Sequence, residues 1–143
     1  MTRIDFHTNV ADRIGYTCRL VRKARAQAAD SRIVILTQDQ HQLAALDQAL
    51  WTFSAQDFLP HAEASDPLAA QSPIVLTDSD SGELPHHDML INLSGATPAH
   101  FAQFARMFEI VSTDAADVED GRKRYAHYRQ RGYPLTHNVA SQS

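Results

Sequence analysis

Arg122, Lys123, Arg124, Arg129 and Arg131 crowd into one short stretch, interleaved with Tyr125 and Tyr128 and followed by Tyr133. Cationic groups set beside aromatic rings suit an anion that also carries an apolar or aromatic part. The rest of the chain leans the other way. Its 13 Lys and Arg stand against 17 Asp and Glu, for a formal net charge of −4. The basic segment is therefore local, and gripping nucleic-acid phosphates over the whole surface is excluded.

Reactive groups are sparse. Ser94 lies between the run Leu90-Ile91-Asn92-Leu93 and Gly95, where a strand-to-helix turn can present a serine nucleophile. Asn92, however, stands where G-x-S-x-G needs its first glycine, so Ser94 reads as a turn residue. His7 ends the first predicted strand, a place where α/β sheets often carry active groups. It has no carboxylate or thiol partner in the sequence pattern, and strand-end packing is its expected role. A small α/β hydrolase built on His7 or Ser94 requires Ser94 within hydrogen-bond reach of a histidine.

Metal and nucleotide chemistry fare no better. His86-His87-Asp88 lacks the H-x-E or H-E-x-x-H spacing that points two ligands at one ion, and reads as a solvated loop. The single Cys18 excludes an internal disulfide and a cysteine-based zinc framework, and it sits on an apolar helix face. The loop His7 to Gly15 has one glycine and neither G-x-G-x-x-G nor G-x-x-x-x-G-K-[ST]. Neither catalytic residues, nor a metal, nor a cofactor is expected.

At 143 residues the natural expectation is one domain. Arg3 to His7 alternates as a strand. Ile33–Leu36, Ile74–Thr77 and Asp88–Leu93 are short apolar runs of the buried-strand type, and Phe108–Val111 is a fifth strand. Helices are predicted over Asp12–Ala29, Asp39–Trp51 and Asp114–Arg131, with a further one opening at Thr97-Pro98 and carrying Phe101, Phe104 and Ala105. Phe53 to Leu59 holds a short strand or turn, residues 62–72 a loop, and Asp78 to Gly82 a turn. This order predicts an α/β fold. It is a single three-layer α/β/α domain with a mostly parallel sheet, Rossmann-like but without the nucleotide-binding loop. The domain spans 1–137, and 138–143 reads as a frayed polar tail. No signal-peptide core follows Met1, and no apolar run nears the ~18 residues of a membrane span, which places the chain in the cytoplasm.

Two surfaces then stand out. Trp51, Phe53, Phe58, Leu59 and Pro60 gather at a helix end, as a core corner or as a partner interface. On the last helix, Val118, Arg122, Tyr125, Ala126 and Arg129 share one face, with Arg124, Tyr128 and Arg131 on another. Acids early and bases late in that helix also suit its dipole.

Ala49-Leu50-Trp51, Phe58-Leu59-Pro60-His61, Leu90-Ile91-Asn92-Leu93, and Arg124-Tyr125, Tyr128-Arg129 and Gly132-Tyr133 occur in this order. The ordered set resembles the chi subunit of bacterial DNA polymerase III over most of the chain. The resemblance implies a noncatalytic clamp-loader accessory subunit that binds no nucleotide. It implies a link between the psi subunit and the acidic, aromatic-tipped C-terminal tail of single-stranded-DNA-binding protein. Trp51 and Phe58 match positions associated with psi, and Arg122 and Tyr125 match positions associated with the tail. Val118 and Arg129 join the tail site from the helical wheel. Ala126 departs from relatives that carry lysine there. A competing expectation is direct single-strand binding by Tyr125, Tyr128 and the basic helix.

Overall fold

Apolar runs too short for helices become the middle of a sheet, and longer periodic segments cover it. The computed structural model describes residues 1–52, 59–79 and 84–140. In chain order the elements are β1 (Arg3–Val10), α1 (Arg13–Gln27), β2 (Ile33–Leu36), α2 (Gln40–Thr52) and β3 (His61–Glu63). There follow β4 (Ile74–Thr77), β5 (Met89–Asn92), β6 (Arg106–Ser112), α3 (Ala115–Gln130) and β7 (Leu135–Val139). The strands form a seven-stranded sheet ordered β3-β4-β2-β5-β6-β1-β7, and every described pairing is parallel. The predicted α/β class stands, with "mostly parallel" sharpened to all-parallel.

Burial on both faces explains the uninterrupted apolar central strands. Ile33, Ile35, Ile74, Leu76, Ile91, Phe108 and Ile110 pack beneath α1 and α2. Val34, Leu36, Val75, Leu90, Met107 and Val111 face the other way, toward Tyr128 of α3 and Phe101, Phe104 and Ala69. Cys18 is fully buried in the first cluster, where burial, then Asp12, pushes its thiol up to about 11. It is inert core, as its helix face predicts.

Four expectations are corrected. The helix predicted after Thr97-Pro98 is a single 3₁₀ turn, Phe101–Gln103. Phe101 and Phe104 are both buried, and the chain re-enters the sheet at Arg106, so there is room for one turn only. The loop predicted over 62–72 contains part of edge strand β3 and a 3₁₀ turn at Ala69–Gln71. The polar tail predicted from Asn138 is strand as far as Val139, and the Ala140 N–H donates to the Thr8 carbonyl at 2.8 Å. Finally β1 runs on past His7 to Val10, through a bulge. Phe53, Phe58 and the turn residues from Asp80 to Gly82 lie outside the described residues.

Asp5 fastens the β6-β1-β7 end. Its carboxylate, 2 % exposed, accepts from Arg106 Nε at 2.6 Å and from the Thr136 hydroxyl, with Arg3 at 3.6 Å. Burial is the largest single influence and pushes the carboxyl up. Thr136, Arg106 and Arg3 together outweigh it and hold Asp5 below its ordinary range. A depressed folded-state value adds stability above the unfolded value of about 3.9, and that stability is lost as pH falls through the folded value. Asp5→Asn is therefore expected to lower the melting temperature at pH 7 and to narrow that loss below about pH 4. Parallel melting curves across the acid range check this. An unchanged acid arm contradicts it.

Candidate functional site

Helix α3 brings the tyrosines and bases to the sheet. Asp114 caps it by accepting from the Asp117 N–H, and Asp117 supplies an acid in the first turn. Its C-terminus closes as a Schellman motif. Gly132, at φ 81°, donates to the Arg129 carbonyl, and Tyr133 N–H reaches the Tyr128 carbonyl at 3.2 Å. Gly121 lets α3 lie close on β6, since a Cβ there would sit 3.0 Å from Val111 Cγ2.

The helix divides its charged and aromatic residues in a way the wheel did not show. Arg124 and Tyr128 point inward and are buried, around a fully buried Glu109 on β6. Arg124 Nε lies 3.2 Å from Glu109 Oε2, and the Tyr128 hydroxyl donates to the same oxygen at 2.7 Å. Asn92 donates to Glu109 Oε1 at 2.9 Å. Arg124 also donates to the Gly95 carbonyl at 2.8 Å, which Gly95 can present because it adopts φ 77°. Burial pushes the Glu109 carboxyl up against the pull of Arg124, Tyr128 and Asn92, and burial likewise pushes the Tyr128 phenol up. Arg124 and Tyr128 are thus structural. A stacking surface that needs Tyr128 does not exist, because Tyr128 has no exposed area.

A second side of α3, beside the one that holds Arg124 and Tyr128, forms one wall of a cavity of about 530 Å³ at the carboxyl ends of β1 and β6. Val118, Gly121, Arg122 and Tyr125 line it from the helix, and Phe6 and Val111 from the sheet. Tyr125 stands edge-on to Phe6, with ring centroids 5.1 Å apart. Arg122 is exposed at the rim, while Val118 and Tyr125 are half-buried. Arg129, one turn further on, is exposed and does not line the cavity. The predicted set of four therefore meets as three.

Sequence reasoning missed the opposite wall. Thr8, Asn9 and His137 form it, with Ser112 and Thr113 at the end of β6. Thr8 Oγ1 lies 2.7 Å from His137 Nε2. Asn9 adopts φ 61°, a conformation asparagine tolerates better than most residues, and its side-chain amide donates to the Ala140 carbonyl. The available signal was the β-favouring alternation in Leu135-Thr136-His137-Asn138-Val139, which carries too little apolar character to stand out. In chemical terms the site is a cleft with an apolar floor, polar ends and one guanidinium at its lip. It suits a terminal aromatic or apolar group bearing a carboxylate.

The other predicted positions are separate. Trp51 is 49 % exposed at the end of α2 and lies over His61, with centroids 4.2 Å apart. His61 is held by Asp47 at 2.9 Å and the Leu59 carbonyl at 2.7 Å. Phe58 falls outside the described residues. Ser94 Oγ donates to Asn92 Oδ1 at 2.6 Å and approaches the Ala96 carbonyl, with no histidine among its described partners. His7 Nδ1 meets the Tyr16 hydroxyl, and burial lowers its basicity. His86 bonds the Ser72 carbonyl at 2.6 Å, and His87 lies against Phe104. No metal-binding group forms among the described residues. Nor is any described helix long and apolar enough to cross a membrane.

Comparison with known proteins covers the same span as the fold. The family model described as "DNA polymerase III chi subunit, HolC" matches residues 1–136. The DNA polymerase III subunit chi of Pseudomonas aeruginosa is 34% identical over 141 residues, which is 94% of each chain. That of Escherichia coli is 32% identical over 109 residues, or 73% of this chain and 71% of the relative. That of Haemophilus influenzae is 28% identical over 109 residues, 76% of each.

Proposed function

Because the chain belongs to the DNA polymerase III chi subunit family, noncatalytic accessory subunits of the replicative holoenzyme, we propose that its α3 cavity captures the acidic, aromatic-tipped C-terminal tail of single-stranded-DNA-binding protein. One observation carries this reading. Val118, Arg122 and Tyr125, picked out on the sequence, converge on one cleft of about 530 Å³. The terminal carboxylate pairs with Arg122, and the terminal ring enters between Tyr125, Val118 and Phe6. Arg129 lies outside the cleft and acts on the acidic stretch of the tail only by long-range attraction. Through this cleft the protein reaches DNA only by way of its partner.

Trp51, exposed at the end of α2, is the proposed contact for the psi subunit, together with Phe58 further along the sequence. The domain, which runs through β7, then acts as a bridge in the cytoplasm, with one partner on each layer of the fold. No cofactor or metal takes part.

Titration with a synthetic tail peptide tests the cleft. The full peptide should bind in a salt-sensitive manner, and a peptide lacking its terminal aromatic residue should lose most of the affinity. Trp51→Ala should leave peptide binding intact and weaken capture of psi. Full affinity for the shortened peptide sinks the cleft model. Unchanged psi capture removes Trp51 from the second interface.

A further inference from the structure

On the reading that the α3 cleft holds the tail, we propose that His137 is a second charge contact for the tail's acidic stretch and makes capture tighten as pH falls. Among the described residues that line the cleft, the titratable groups are Arg122, Tyr125 and His137, and no Asp or Glu lines it. Arg122 stands at the rim, where it meets the terminal carboxylate. An acidic tail brings further carboxylates with it. The wall opposite α3 offers them one group that can become a cation.

The fold sets His137 up for this contact. Its register partner on β1 is Phe6, so both side chains leave the sheet on the face that α3 covers. Its ring centroid lies 6.3 Å from that of Tyr125. A terminal ring seated between Phe6 and Tyr125 therefore has His137 beside it. His137 is exposed, so a carboxylate can reach it. Its Nε2 lies 2.7 Å from Thr8 Oγ1, and Nδ1 has no hydrogen-bond partner among the described residues. A hydroxyl can donate as well as accept. Thr8 thus keeps its bond in either charge state of the ring. In the charged form it accepts from Nε2–H, which leaves Nδ1–H for an incoming carboxylate.

The groups that face the ring are Thr8 from β1 and Arg122 and Tyr125 from α3, and its neighbours on β7, Thr136 and Asn138, are uncharged. At the near end of α3, Asp114 accepts from the Asp117 N–H. Asp117 accepts from the Ser112 N–H and lies 3.7 Å from Arg13. Among the described residues no carboxylate pairs with His137. Histidine ordinarily exchanges its proton between about pH 5 and 8. A carboxylate settling against the ring favours the protonated form, so capture takes up a proton. Binding that takes up a proton strengthens as pH falls, and levels off once the free protein is itself protonated. The tail's carboxylates stay ionised over this range, since they titrate near about pH 4. The contact is exposed, so the expected gain is about three- to fivefold.

Calorimetric titration of the full chain with the acidic, aromatic-tipped peptide, between about pH 8 and about pH 5.5, tests the proposal. The parent should show the gain, His137→Gln should hold one affinity across the range, and His137→Lys should bind at the tighter level at both ends. His127 lies on α3 against Tyr128 and does not line the cleft, so His127→Gln should keep the parent's gain. A peptide whose acidic side chains are replaced by amides, with its terminal carboxylate and ring kept, should bind with no gain. A parent without the gain, or a gain that survives in His137→Gln, overturns the proposal and leaves the cleft standing. A gain retained by the amide peptide overturns the assignment to the acidic stretch. No capture at either pH removes the cleft and the proposal together.

Discussion

Arg122→Glu is expected to abolish binding of an acidic, aromatic-tipped peptide while leaving the fold intact. Arg122 is exposed at the rim of the cleft, so its replacement disturbs no packing. Truncating one member of a hydrogen-bonded charge pair costs about 2–5 kcal/mol, and reversal adds repulsion. The affinity should fall by at least roughly 30-fold. Arg129→Glu is the informative companion. It lies outside the cleft and should cost only a few-fold, with that loss disappearing in high salt. Calorimetric titration of both variants with one peptide separates the cases. Equal losses would mean that general positive charge, not the cleft, holds the peptide.

Glu109→Ala should be strongly destabilising. It would leave Arg124, 5 % exposed, as a buried cation without its carboxylate, and Tyr128 and Asn92 without an acceptor. Breaking a buried pair on one side costs about 3–5 kcal/mol. Against a total stability of about 5–15 kcal/mol, that leaves the domain near its unfolding threshold. The melting temperature should fall by roughly 10 °C or more. Burial already works against the charged carboxyl, so the pair itself adds little net stability. The double variant Glu109→Leu with Arg124→Met should accordingly recover most of the loss. Urea unfolding of both variants decides this. A loss below about 1 kcal/mol for Glu109→Ala would show that water reaches the pair.

These two residues also show where the sequence could and could not be read. Ile33–Leu36 and Ile74–Thr77 were legible because a strand buried on both faces must be apolar throughout. Helix α3 was legible over Asp114–Arg131, with acids early and bases late to suit its dipole. Arg124 was not, because a wheel assigns residues to faces and cannot tell a solvent face from one that meets a buried carboxylate. Glu109 sits amid Phe108, Ile110 and Val111, and only tertiary pairing reveals why a charge stands there. Strand β7 was missed for the converse reason. It is an edge strand whose Thr136, His137, Asn138 and Val139 are exposed, so no burial pattern marks it.

The place of β1 has a consequence for how the protein is made. It is the first strand in the chain, yet its partners among the described residues are β6 and β7. The cleft draws on Phe6 at one end of the sequence and His137 at the other. A growing chain on the ribosome therefore holds an unpaired β1 throughout most of translation. The α3 cleft is complete only after β7 has emerged, and its long-range pairing predicts slow closure. A chain clipped before β7 lacks His137 and one wall of the cleft, so on the proposed reading it is expected not to bind the tail peptide.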